Sequence, residues 1–194
     1  MARIRCGTPA PGQSFWPAPP RWTRVREPSL ALGCLFGSLV TTGLALVLGA
    51  CWLLLALRLQ VHFSAWSFWQ SVLAVLLSAV VHELLHGVVF PGGPFGPLVE
   101  YGSKCMLYFW ATYDGEMRVR RRVFVKIMPV VMLTLLPLAW MLWTREAPLW
   151  LVSVAFLNLV GAGVDVVSIV PLVTQASAGG FVRDKGHESW WRPV

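Results

Sequence analysis

Charge is what this chain has least of. Asp, Glu, Lys and Arg make up 13% of its 194 residues, against roughly 25% in an ordinary soluble domain. Hydrophobic residues are 56% and the mean hydropathy is +0.63. That balance excludes a typical soluble domain and points to an integral membrane protein with one compact membrane domain. Acids are scarcest, 9 Asp and Glu against 16 Lys and Arg, so an acid inside an apolar stretch needs a reason. Cysteine is scarce too. Cys6, Cys34, Cys51 and Cys105 show no CxxC spacing, which argues against a disulfide framework or a Cys-based metal site. No internal repeat is visible. Nor is there a convincing signal peptide, because polar, Pro-rich residues precede an apolar run too long for an h-region. Leu48-Gly49-Ala50-Cys51 has the form of a lipoprotein cleavage box, but the apolar Trp52–Leu57 stretch after it argues against cleavage.

What is abundant is apolar sequence in long runs. A helix needs about 20 apolar residues to cross the hydrocarbon core. Four stretches reach that length, at about 29–57, 66–90, 123–143 and 149–173. Residues 1–28 read as a flexible basic arm and 174–194 as a tail. Trp66, Trp69, Trp143 and Trp150 lie near span ends, where interfacial anchors belong. Pro129 and Pro137 predict kinks in the third span. Between the second and third spans, strand-prone sequence surrounds Asp114-Gly115, a strong turn signal. This predicts a β-hairpin within about 97–122. The expected fold is therefore mainly α, a helical bundle of four spans with one small hairpin.

The net charge of +7 does not indicate nucleic acid. The basic residues flank the spans, so membrane orientation and lipid contact account for them. The arm, the central loop and the tail hold nearly all of them, whereas the connections at 58–64 and 144–148 hold one Arg each. The positive-inside rule then predicts a multi-pass protein, in a plasma (cytoplasmic) membrane, with both termini and the hairpin cytoplasmic.

His82-Glu83-Leu84-Leu85-His86 is an HExxH motif in the last third of the second span. Residues four apart share a helix face, so both histidines can present a ring nitrogen to one metal ion. Glu83 then projects beside the metal's open position and can act as base toward an attacking water. Zn2+ suits such a site, which needs three protein ligands and one open position. The bland alternative is a polar patch on a buried helix. It is disfavoured because ionisable groups at membrane depth are expensive and usually face a cavity, a partner or a metal.

The third ligand has to come from elsewhere. Asp165 is the only acid in the fourth span and would be costly there unpaired. Asn158 lies seven residues earlier, on the same face of a continuous helix. Gly161 and Gly163 would let this helix approach its neighbours. Two readings of Asn158 stay open: its amide contacts a substrate carbonyl or developing oxyanion, or it makes an interhelical hydrogen bond. His62 and His187 have no ligand spacing and read as surface residues.

With those residues in view, the chain resembles the DUF3267 family, small membrane proteins with HExxH in one span and an Asn…Asp pair in a later one. The resemblance covers most of 66–188. It rests on His82, Glu83, His86, Phe95-Gly96, Pro129, Asn158 and Asp165, and on the closing segment Val182-Arg183-Asp184-Lys185-Gly186. A broader similarity is to site-2 intramembrane metalloproteases, although Val166 stands where that group has the Gly of an Asp-Gly pair. The resemblance implies proteolysis of a membrane-associated protein or peptide. The alternative is a non-catalytic membrane protein with a structural, sensing or transport metal site. Glu83 favours catalysis, because a structural two-histidine site has no use for it.

Overall fold

The computed structural model describes residues 1–7, 15–18, 21–65, 68–104, 108–186 and 188–194. Trp66, Cys105 and His187 lie outside the described residues. Helix α1, Leu30–Arg58, starts at Ser29, whose hydroxyl accepts from Leu32 N–H at 3.4 Å. That satisfies one of the orphan donors at a helix start. Helix α2, Phe68–Val89, carries the HExxH motif. It stops where Pro91 is followed by Gly92 and Gly93, both at positive φ. The Arg121 guanidinium closes its end, donating to Val89 O at 2.7 Å and to Phe90 O at 3.1 Å. Phe90 O also accepts from Gly93 N–H at 2.9 Å, so the guanidinium adds a second bond there and supplies a partner for Val89 O at the helix end.

The third span is α3, Val119–Val130, a π-helical turn at Val131–Leu135, and α4, Leu136–Thr144. Proline explains the irregularity, since Pro129 and Pro137 each remove a helical N–H donor. The fourth hydrophobic stretch is not one helix. It is α5, Leu149–Gly161, and α6, Gly163–Gln175, bent by 43°. Glycine is a poor helix former, and the break falls at Gly161-Ala162-Gly163. A Cβ on Gly163 would lie 2.5 Å from the Gly37 backbone in α1, so the two helices cross there in direct contact. Gly161 plays no such part: nothing lies within 4 Å of its Cβ direction. Ala31–Arg58, Phe68–Val89 and Val119–Thr144 are long and apolar enough to cross a membrane, and α5–α6 counts as a fourth if the bent pair is one span. Trp69 and Trp143 are exposed near helix ends.

Three small sheets close the ends of the bundle. Strand β1, Arg3–Cys6, pairs in parallel with β4, Val99–Lys104, which pairs antiparallel with β5, Tyr108–Tyr113. A second sheet runs in the order β2 (Thr23–Arg24), β9 (Glu188–Arg192), β8 (Phe181–Lys185), β6 (Met117–Arg118). At the other end β3, His62–Ser64, pairs with β7, Glu146–Pro148.

The hairpin differs from the sequence-based expectation. Val99 pairs with Tyr113 and Lys104 with Tyr108, so the chain reverses between those two strands and not at Asp114-Gly115. Asp114-Gly115 instead links strands of two different sheets. The register follows burial: Val99 and Tyr113 are both buried in one core with Phe90. A one-residue slip would turn both outward. The alternation at 116–120 is real but serves two elements. Met117 and Val119 are buried, the first in β6 and the second at the start of α3, four residues earlier than 123. The arm also contributes β1 and β2, where its composition suggested no regular structure.

Candidate metal centre

Helix α2 brings His82 and His86 onto one face, with ring centroids 4.9 Å apart. The break before α6 puts Asp165 in that helix's first turn, where backbone N–H groups and the helix dipole favour a carboxylate. Asp165 Oδ2 lies 3.2 Å from His82 Nε2 and 3.2 Å from His86 Nε2. These three residues form the one metal-capable group of His, Cys, Asp or Glu among the described residues. Tetrahedral zinc, with bonds of about 2.0–2.1 Å, sets its ligand atoms roughly 3.3–3.4 Å apart. The two nitrogen–oxygen separations fit that spacing, and so does the donor set.

The outer partners decide which nitrogens are free. His86 Nδ1 is 2.7 Å from Val125 O, and a carbonyl only accepts. Nδ1 therefore carries a hydrogen, which leaves Nε2 as the ring nitrogen available to a metal. The Asn158 amide donates to Pro129 O and to Thr134 Oγ1, both at 3.1 Å. Its oxygen then faces His82 Nδ1 at 2.8 Å, which sets the same tautomer on His82. Thr134 is fully buried and passes its own hydrogen to Ala155 O at 2.8 Å. Metal-binding histidines characteristically have such partners on the second ring nitrogen.

Asn158 is thus an interhelical tether. Both of its amide hydrogens are engaged, so none is left for a substrate oxyanion. Asn158 and Asp165 both contact His82, despite the break between them. Lys126 was the residue that sequence reasoning undervalued. Its Nζ lies 3.2 Å from Asp165 Oδ1, so Asp165 has a cationic partner on one oxygen and the histidines on the other. The signal was available: Lys126 is the only Lys or Arg within the four apolar stretches, as Asp165 is the only acid in its own.

The site opens on a cavity of about 480 Å³. Glu83, His82, His86, Lys126 and Asp165 line it, together with residues 109–112 of β5. At the end carrying the termini, Glu27, Arg122, Asp184 and Ser189 also line it. Arg122 pairs with Asp184, whose other oxygen accepts from Ser189 Oγ at 3.1 Å. Burial, then the charge of Asp184, push the Glu27 carboxyl above its ordinary value. The family profile "Putative zincin peptidase" (DUF3267) matches residues 75–179. The chain belongs to the DUF3267 family. The match takes in more than half of the chain, including His82, Glu83, His86, Lys126, Pro129, Asn158 and Asp165, and stops short of the closing segment at 182–186. Comparison with curated proteins and with solved structures gave no match.

Membership supports metallopeptidase chemistry in general terms and implies zinc. The DUF3267 motif helix is also packed with little slack. Tyr101 donates to Pro94 O at 2.9 Å and lies over Gly87, next to His86. Burial, with the nearby Glu83 carboxylate, raises the Tyr101 phenol above its usual pKa. A Cβ at Gly87 would fall 1.7 Å from Tyr101 Oη. Gly87→Ala is expected to cost about 1–3 kcal/mol by overpacking, read as a lower unfolding temperature in detergent. Adding Tyr101→Phe removes the closest clash and should recover part of the loss. An unchanged unfolding temperature in Gly87→Ala would show that the packing is looser than described.

Proposed function

We propose that this chain is a membrane-embedded, zinc-dependent endopeptidase that cuts a membrane-associated protein or peptide. The observation carrying this reading is Asp165 Oδ2 at 3.2 Å from both histidine Nε2 atoms, with Glu83 lining the same cavity. His82, His86 and Asp165 would hold the metal. Zinc, when bound, supplies a Lewis acid that activates water and polarises a carbonyl. Glu83 takes the proton of the attacking water and returns it to the leaving amine. Lys126 holds Asp165 Oδ1, which leaves Oδ2 for the metal. As a cavity-lining donor it also takes over the oxyanion role that Asn158 cannot fill.

Substrate enters as an extended strand, because a helix hides its scissile bond. In the order β1-β4-β5, β5 is an edge strand of that sheet. Residues 111 and 112 of β5 line the cavity with Glu83, which supports β-addition at that edge. The expected orientation has both termini and the metal centre on the cytoplasmic side. Reporter fusions at Phe63 and Ala147 should then read as external, and fusions at Asp114 and Val194 as internal. An external Asp114 would invert the scheme.

The test of the function is twofold. Purified protein should contain one zinc per chain. Cells carrying wild type should lack, or show shortened, membrane proteins that accumulate intact in cells carrying Glu83→Gln. Protein without zinc, or identical proteomes, would reject the reading.

A further inference from the structure

We propose that Pro129 is a positioning residue whose backbone sets both histidines of the metal centre, by lacking an N–H toward His86 and by offering its C=O toward His82. The inference rests on the metal-site reading above and deepens it.

In a regular helix the carbonyl of residue 125 accepts from the N–H of residue 129. Proline has no N–H, and its ring crowds the carbonyl four residues before it. In α3 that carbonyl belongs to Val125, and it is the group 2.7 Å from His86 Nδ1. His86 is buried, so water does not supply a ready substitute. A helix interior almost never leaves a carbonyl free. Here the missing donor frees one, and the histidine takes it.

The same residue acts in the other direction through its own oxygen. Pro129 O accepts from Asn158 Nδ2 at 3.1 Å, and Thr134 Oγ1 takes the second amide hydrogen. An acceptor-only carbonyl forces the NH2 group of Asn158 toward Pro129. Asn158 Oδ1 is thereby turned to His82 Nδ1. Asn158, Thr134 and Pro129 are all buried, so the amide has no alternative partner in water. One proline thus helps turn both Nε2 atoms to the space facing Asp165 Oδ2.

A proline kept only to kink the helix makes a different prediction. Alanine is a far better helix former than proline. If the kink is all that matters, Pro129→Ala leaves zinc affinity unchanged. If the missing N–H matters, alanine restores the helical bond to Val125 O, and that N–H then competes with His86 for the carbonyl and draws it back toward the helix axis. Loss of an outer partner typically weakens metal binding by about 10–100-fold.

The experiment measures zinc dissociation constants by chelator competition on detergent-purified full-length protein, and unfolding temperatures without metal. Pro129→Ala should bind zinc about 10–100-fold more weakly than wild type, with metal-free unfolding no lower. The second variant replaces residue 129 by the α-hydroxy analogue of alanine, making an ester at the 128–129 linkage. It has neither the ring nor the N–H, and it should bind zinc as wild type does. Alanine at wild-type affinity overturns the proposal, and so does an ester variant with weakened zinc binding, which also decides the matter if Pro129→Ala does not accumulate. Wild type that binds no zinc rejects the metal-site reading itself, an outcome distinct from either of these.

Discussion

Glu83→Gln is expected to keep its zinc and to lose peptide hydrolysis by about 10²–10⁴-fold, the range typical of a general base. Glutamine has the shape of glutamate but cannot take a proton at neutral pH. Glu83 is not in the group of metal-capable donors, which consists of His82, His86 and Asp165. Its removal therefore leaves the ligands untouched. Stability should not fall either, because a neutral amide in a partly buried cavity costs less to desolvate than a carboxylate. Metal analysis and hydrolysis of a peptide chosen from the proteome comparison measure the two effects separately. Zinc lost with activity would make Glu83 a ligand or a structural group. Zinc retained with unchanged turnover would favour the non-catalytic alternative, in which the metal senses, transports or stabilises.

The membrane stretches and the motif were legible because they follow from costs that do not depend on tertiary detail. Long apolar runs imply helices wherever they fold, and α1 and α2 lie close to 29–57 and 66–90. HExxH needs only the helical repeat to bring His82 and His86 together. Asp165 was found by the expense of a lone acid in an apolar stretch, and that argument also held the clue to Lys126. What it lacked was the helix packing that brings α3 against α6. The misplaced turn has a similar origin. Asp114-Gly115 is a good local turn signal, but the pairing of Val99 with Tyr113 is set by a shared core around Phe90. No local pattern contains that information. The break at Ala162 was equally hidden, since Gly161 and Gly163 look alike in sequence and only Gly163 meets another backbone. Strands β1 and β2 in the arm exist only because β4 and β9 offer edges to pair with.

Asp165→Ala should cost both zinc and stability, and the two losses should be separable. Removing a direct ligand is expected to weaken zinc by more than the roughly 10–100-fold seen for outer partners, with activity lost alongside. It also strands Lys126, whose side chain is only 17% exposed and pairs with Asp165 Oδ1. Breaking a buried pair from one side costs about 3–5 kcal/mol, and the partial exposure here puts the expectation near the lower figure. Adding Lys126→Met removes the stranded charge, so the double variant should regain most of the unfolding temperature but none of the zinc. Asp165→Asn gives the converse check. Its amide oxygen can still accept from Lys126, and its NH2 can donate to the histidine Nε2 atoms, so the metal-free protein should fold normally. The site is then closed by hydrogen bonds and should not take up zinc. If Asp165→Ala binds zinc at wild-type affinity, Asp165 is a structural partner of Lys126 and the third ligand lies elsewhere. If the double variant regains zinc together with stability, the loss in the single variant was a folding defect, and the ligand assignment falls with it.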